Sequence, residues 1–113
     1  MTLGELLKQA ELEVKAGDEQ LDTEVTGGYS GDLISMVLAN GKEGNVWVTW
    51  LCHPNIVAAA VVVKLAAIII VDGREPDEQT IQKANEEGIA ILVTKLPAFE
   101  IIGRFHDIGI TGT

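Results

Sequence analysis

The chain has 113 residues, enough for one hydrophobic core but too few for two domains. Seventeen acids against eight bases give a net charge of −9 with no basic patch, which excludes nucleic acid and anionic membrane as partners, since both need a cationic footprint. A small anionic ligand stays open, because backbone amides can bind one without Lys or Arg.

Cys52 is the only cysteine, so no internal disulfide forms, as expected in a reducing compartment. The start MTLGELLKQ lacks the positive-then-apolar layout of a signal peptide. The longest apolar run, Ile56 to Val63, falls far short of the roughly 20 residues that cross a bilayer. A cytoplasmic protein is the expectation.

Thr2 to Glu5 has the spacing of a capping box, with Leu3, Leu6 and Leu7 following at helical intervals to about Ala10. Leu12 and Val14 alternate with charged residues and predict a short strand with one wet face. AGDEQ (16–20) is a polar turn. A strand over Thr23 to Thr26 then leads into VTGGYSGDLISMVLA (25–39), read as strand end, double-glycine turn and helix. Ser30 or Asp32 caps this helix, and Leu33, Ile34, Val37 and Leu38 form its inward face. Asn40 to Asn45 closes it with turn formers, and Val46 to Leu51 is a β-branched and aromatic strand. Trp47 and Trp50 fall on opposite strand faces, one for the core and one for a rim or interface.

His53-Pro54 opens a helix that is apolar on every side from Ile56 to Val63. In so small a domain a second copy of the chain is expected to cover its outer face, with Ile56, Ala59, Ala60 and Val63 as the interface residues. AAIIIV (66–71) is a central parallel strand, Asp77 to Glu87 a polar helix, Ile89 to Val93 another buried strand. Pro97 opens the last helix, Gly109 ends it, and Ile110 to Thr113 is expected to fray. Strand and helix alternate from residue 23 onward. This predicts an α/β three-layer sandwich, its mainly parallel sheet of four or five strands covered by helices on both faces, in one domain over 1–113.

In such a sheet, ligands collect at the carboxyl ends of the strands. The expected rim comprises Thr26, Gly27, Gly28, Tyr29, Asp32, Ser35, Thr49, His53, Asn55, Asp72 and Thr94: hydroxyls, amides, an imidazole and a carboxamide suited to a small polar ligand. The same segments also serve as ordinary connections. No G-x-x-x-x-G-K-[ST] loop is present, and Gly27-Gly28 lacks the third glycine of a dinucleotide fingerprint. Cys52, His53 and His106 show no zinc spacing, so neither metal nor cofactor is expected.

Thr26-Gly27-Gly28 match the last three positions of the signature that names the DRTGG domain family, with Glu24 and Val25 standing for its Asp-Arg. The chain resembles that family through GDLISMVLA, WVT, HPNIVAAAVV, AAIIIVDGREPDEQTIQKANEEGIAIL and PAFEIIGRFHDIGI, as a small stand-alone member. Relatives include the N-terminal domain of HPr kinases and modules of phosphotransacetylases and CBS-domain pyrophosphatases. The resemblance implies a regulatory, dimer-forming module that is not a catalyst. Small free-standing members are similar to proteins encoded near anaerobic hydrogenases, so a scaffold with a protein partner is an alternative. Another is a small enzyme using Thr49, His53 and Asn55, supported by Tyr29 or Asp32.

Overall fold

Local chemistry sets the first element of the computed structural model, which describes residues 1–113. Helix α1 (Leu3–Gln9) starts on the expected capping box: Thr2 Oγ1 accepts from the Glu5 amide at 3.2 Å, and Glu5 Oε1 accepts from the Thr2 amide at 3.1 Å. These bonds hold the Glu5 carboxyl below its ordinary range. Then come β1 (Glu13–Ala16), a 3-10 turn (Asp18–Gln20), β2 (Gly27–Ser30), α2 (Ile34–Asn40) and β3 (Asn45–Thr49). Helix α3 (Asn55–Val63), β4 (Ala67–Ile70), α4 (Glu78–Glu87), β5 (Ala90–Val93) and α5 (Ala98–Asp107) complete the chain.

The strands lie in the order β1-β5-β4-β3-β2, with β2 to β5 mutually parallel and β1 antiparallel to β5. Each parallel strand is added on the same side of the one before it. Right-handed crossovers between strands so ordered must put every connecting helix on one face. The two cores show this. Val37 of α2, Ile56 and Ala60 of α3 and Ala84 of α4 pack with Trp47, Ile68, Ile70 and Ile91 on one face. Leu3 and Leu6 of α1 and Ile101 and Phe105 of α5 pack with Val46, Val48, Ile69 and Leu92 on the other. The predicted three-layer α/β sandwich is therefore present. Ile68, Ile69 and Ile70 of β4 are all fully buried, each worth about 1.5–3 kcal/mol of burial.

Three local expectations are corrected. The glycine pair is inside β2, not in a turn after it. Thr23 and Val25 instead bond back to the N-terminus, the Leu3 amide donating to Thr23 O at 3.0 Å and the Val25 amide to Met1 O at 2.8 Å. Neither Ser30 nor Asp32 caps α2; its N-cap is Leu33 with no side-chain bond. Of the four residues expected to face inward there, only Val37 is buried, while Ile34 is half-buried and Leu33 and Leu38 are exposed. The short helix packs mainly against α3 (Asn55–Val63), which leaves its other flanks uncovered.

The C-terminal tail, expected to fray, is pinned. Ile110 is buried, the Gly28 amide donates to Thr111 O at 2.9 Å, and Gly28 and Gly112 form a parallel bridge. The tail thus covers part of the β2 edge, where unpaired backbone groups would otherwise face water.

Candidate functional site

Parallel pairing puts the carboxyl ends of β2, β3, β4 and β5 on one edge of the sheet. Asp32, Thr49, His53, Asp72 and Thr94 follow those strands and so share that edge, with Asn55 just beyond at the start of α3. Thr26, Gly27 and Gly28 do not join them. Because β2 begins at Gly27, these residues lie at the opposite, amino end, where Gly27 pairs with Asn45. Tyr29 is mid-strand opposite Trp47, half-buried against the α2–α4 core, and Ser35 is exposed in the first turn of α2.

At the amino end the polar groups are occupied. Asn45 is only 1% exposed and exchanges hydrogen bonds of 3.1 and 3.3 Å with the Thr113 hydroxyl. Its Oδ1 also accepts from the Lys42 amide at 3.1 Å, and its Nδ2 donates to Thr26 Oγ1 at 3.3 Å. Thr26 Oγ1 in turn donates to Glu43 O at 2.7 Å. A Cβ on Gly27 would overlap Thr113 Cγ2 and lie 2.7 Å from Thr111 O. Glycine at this position lets the tail pass this close.

At the carboxyl end, several predicted residues brace the backbone. Asp32 Oδ1 accepts from Thr49 Oγ1 at 2.9 Å and from the Trp50 amide at 2.7 Å. Thr49 Oγ1 accepts from the Leu51 amide at 3.2 Å, and Thr94 Oγ1 likewise from the Leu96 amide at 3.1 Å. Asp72 and Gly73 both have positive φ, 62° and 71°, and the Arg74 amide donates to Val71 O at 3.2 Å. That is the mirror-image tight turn for which Asp-Gly is the favoured pair. His53 is exposed beside the α4 cap, where Asp77 accepts from Thr80 N at 2.8 Å and Thr80 Oγ1 at 2.7 Å. These bonds first, and the charge of His53 after them, hold the Asp77 carboxyl below its ordinary range.

A hollow of about 350 Å³ opens on this same edge, between residues 10–13, 73–75 and 93–95. Thr94 is the one predicted residue that lines it; Arg74 and Lys95 join it there. The Arg74 guanidinium carbon stands 3.5 Å from the ring centroid of Trp50, an indole left half exposed. Of the glutamates in the lining, Glu11 pairs with Arg104 at 3.4 Å, while Glu13 and Glu75 share Lys15 at 3.5 and 3.4 Å. The Lys15 ammonium is held above its ordinary range, chiefly by its bond to Glu75. From this turn the sequence pattern singles out Asp72 for the rim, not Arg74. What was missing was the contact that stacks Arg74 on Trp50, 24 residues earlier in the chain.

The expected interface residues Ile56, Ala59 and Ala60 are buried in the chain's own core, and Val63 is half-buried. A helix fully apolar in sequence gives no sign of which side faces the sheet. The outward side of α3 is Ala58, Val61 and Val62, the last 71% exposed, and α2 adds Met36 and Leu38 beside Leu33, itself 64% exposed. Neither helix contains a charged residue.

No family model matches the chain, and no curated protein matches its sequence. Among solved structures it is similar to the CBS and DRTGG domains of the regulatory region of Clostridium perfringens pyrophosphatase, determined in complex with the activator diadenosine tetraphosphate. The TM-score is 0.73 at 16% identity, over 98% of this chain and 50% of that one, so the present chain spans about half of the matched structure. The fold is DRTGG-like. No helix is long and apolar enough to cross a membrane.

Proposed function

We propose that this chain is a regulatory, ligand-sensing α/β module, without catalysis of its own, that pairs with a second copy and binds a small anion at the carboxyl edge of its sheet. The observation that carries this reading is the commitment of the rim's polar side chains. Asp32, Thr49 and Thr94 are spent on shaping loops, which suits a pre-formed cradle better than proton transfer. For the enzyme alternative built on Thr49, His53 and Asn55, the same bonds tie up the hydroxyl it needs. The DRTGG-like neighbour, a regulatory region bound to a nucleotide activator, lends support in kind. Pairing is supported by the uncharged helices α2 and α3, whose exposed Leu33, Met36, Leu38, Val61 and Val62 form apolar surface that favours being covered. A protein partner on that face is the scaffold version of the same reading. Cys52, unpaired, fits a cytoplasmic location.

Thermal unfolding against adenine and guanine nucleotides, inorganic phosphate, acetyl phosphate and divalent metals tests the sensing. A ligand present at 100 times its dissociation constant adds about 2.7 kcal/mol to the folded state. If none of them moves the transition, the sensing proposal falls. Light scattering at micromolar concentration tests the pairing: a mass of twice 12.1 kDa supports it, and a strict monomer ends it.

A further inference from the structure

We infer that the cleft lined by Arg74, Thr94 and Lys95 is an oxyanion site, and that Trp50 reports its occupancy through Arg74. This rests on the sensing proposal and supplies the place and ligand class that it lacks. Four of the eight bases, Lys15, Arg74, Lys95 and Arg104, line the cleft or pair with its walls. The three glutamates of the lining all pair within the chain, Glu13 and Glu75 with one Lys15 and Glu11 with Arg104. Arg74 and Lys95 have no carboxylate within ion-pair distance. With Lys15 and Arg104 counted, four cations meet three glutamates here, a local excess of one positive charge in a chain of net charge −9, which favours an anion at this cleft. Asp72, the neighbouring acid in the turn, is exposed and does not line the cleft.

The carboxylates do not form a rival cation site, since no three His, Cys, Asp or Glu side chains are grouped so as to hold a metal. Arg74 is also the right residue type. Stacking on an indole holds the guanidinium plane while leaving its edge N–H donors free for a bidentate oxyanion. A volume near 350 Å³ is at the small end of ligand sites. The occupant is therefore a phosphate or phosphate monoester, up to the size of a nucleoside monophosphate, or a carboxylate of that size. A dinucleotide polyphosphate is too large to be enclosed.

The experiment is a tryptophan-fluorescence titration of the full chain with inorganic phosphate, adenosine monophosphate and citrate, each against sodium chloride at matched ionic strength. The expected result is a saturable change with at least one oxyanion and none with chloride. The change disappears in Trp50→Phe, which keeps the buried Trp47. Calorimetry with the same probe shows Trp50→Phe still binding, whereas Arg74→Gln and Lys95→Gln each weaken binding tenfold or more. Which probe saturates at lowest concentration separates free phosphate, phosphate ester and carboxylate. The site is overturned if no oxyanion gives a saturable response, or if the Arg74→Gln/Lys95→Gln double variant binds as wild type does. A thermal shift that survives in the double variant sinks this site and leaves the sensing reading standing. If no anion stabilises the folded chain at all, both fall.

Discussion

The two ends of the parallel sheet are built from similar residues and put to opposite use. At the amino end, Asn45, Thr26, Gly27 and Thr113 bond to one another and close the structure. At the carboxyl end, Asp32, Thr49 and Thr94 fix the loops, and the free cations Arg74 and Lys95 look out from a cleft. The glycine pair, the most motif-like feature of the sequence, belongs to the closed end. A glycine that lets backbone approach backbone and one that lets backbone approach a ligand read alike in sequence. Only the strand boundaries tell them apart.

If the amino end is structural, the largest effect comes from Asn45→Ala, which removes a buried carboxamide and leaves the Lys42 amide and the Thr26 and Thr113 hydroxyls without their shared partner. Urea denaturation is expected to show a loss of about 2–3 kcal/mol with little change at the cleft. Gly27→Ala comes next, at about 1–2 kcal/mol, because the tail must move aside. Hydrogen exchange at the Gly28 amide accelerates with it, since that amide bonds to Thr111. Gly28→Ala sharpens the comparison: a Cβ there meets Ile110 and Val46 at ordinary distances of 3.6 and 3.8 Å, so stability changes by less than about 1 kcal/mol. A large loss in Gly28→Ala and none in Gly27→Ala would break the assignment.

At the carboxyl end, Asp32→Ala is expected to cost about 1 kcal/mol and to free the Trp50 segment, seen as altered emission from Trp50. The smallest effect is in acid. Asp77 has its carboxyl pKa lowered by folding, so its contribution is complete above the unfolded value and is lost as pH falls through the folded one. Asp77→Asn keeps a capping side chain but cannot titrate. Its unfolding temperature should therefore decline less than that of wild type on acidification below the ordinary carboxylate range.

The α/β architecture was legible because it rests on burial patterns that are strong in sequence. AIII of β4 has no polar residue and so needs cover on both faces, and Asp77 and Gly88 mark the ends of α4 as caps should. The site was legible only in part. Parallel strands put Thr49, His53, Asp72 and Thr94 on one edge as expected. The position of Gly27 turned on whether Thr23 to Val25 pairs with β3 or with the N-terminus, a choice between two long-range partners that local pattern does not record. Arg74 and Asn45 were missed for a related reason. A loop arginine and a turn-forming asparagine look solvated until the fold supplies Trp50 for one and Thr113 for the other.

The chain's two ends meet on one short segment. The Met1 ammonium pairs with Glu24 and Met1 O accepts from the Val25 amide, while Thr113 lies against Gly27, two residues on. At about 3.8 Å per residue, that spacing sets the termini on the order of 10 Å apart. A linker of a few residues would span that distance, which makes a circular permutant reopened at an exposed loop geometrically feasible. The same spacing would let the module be carried within a host chain at a single loop. Entry and exit share one doorway, and neither core has to be disturbed to carry the module as a cassette.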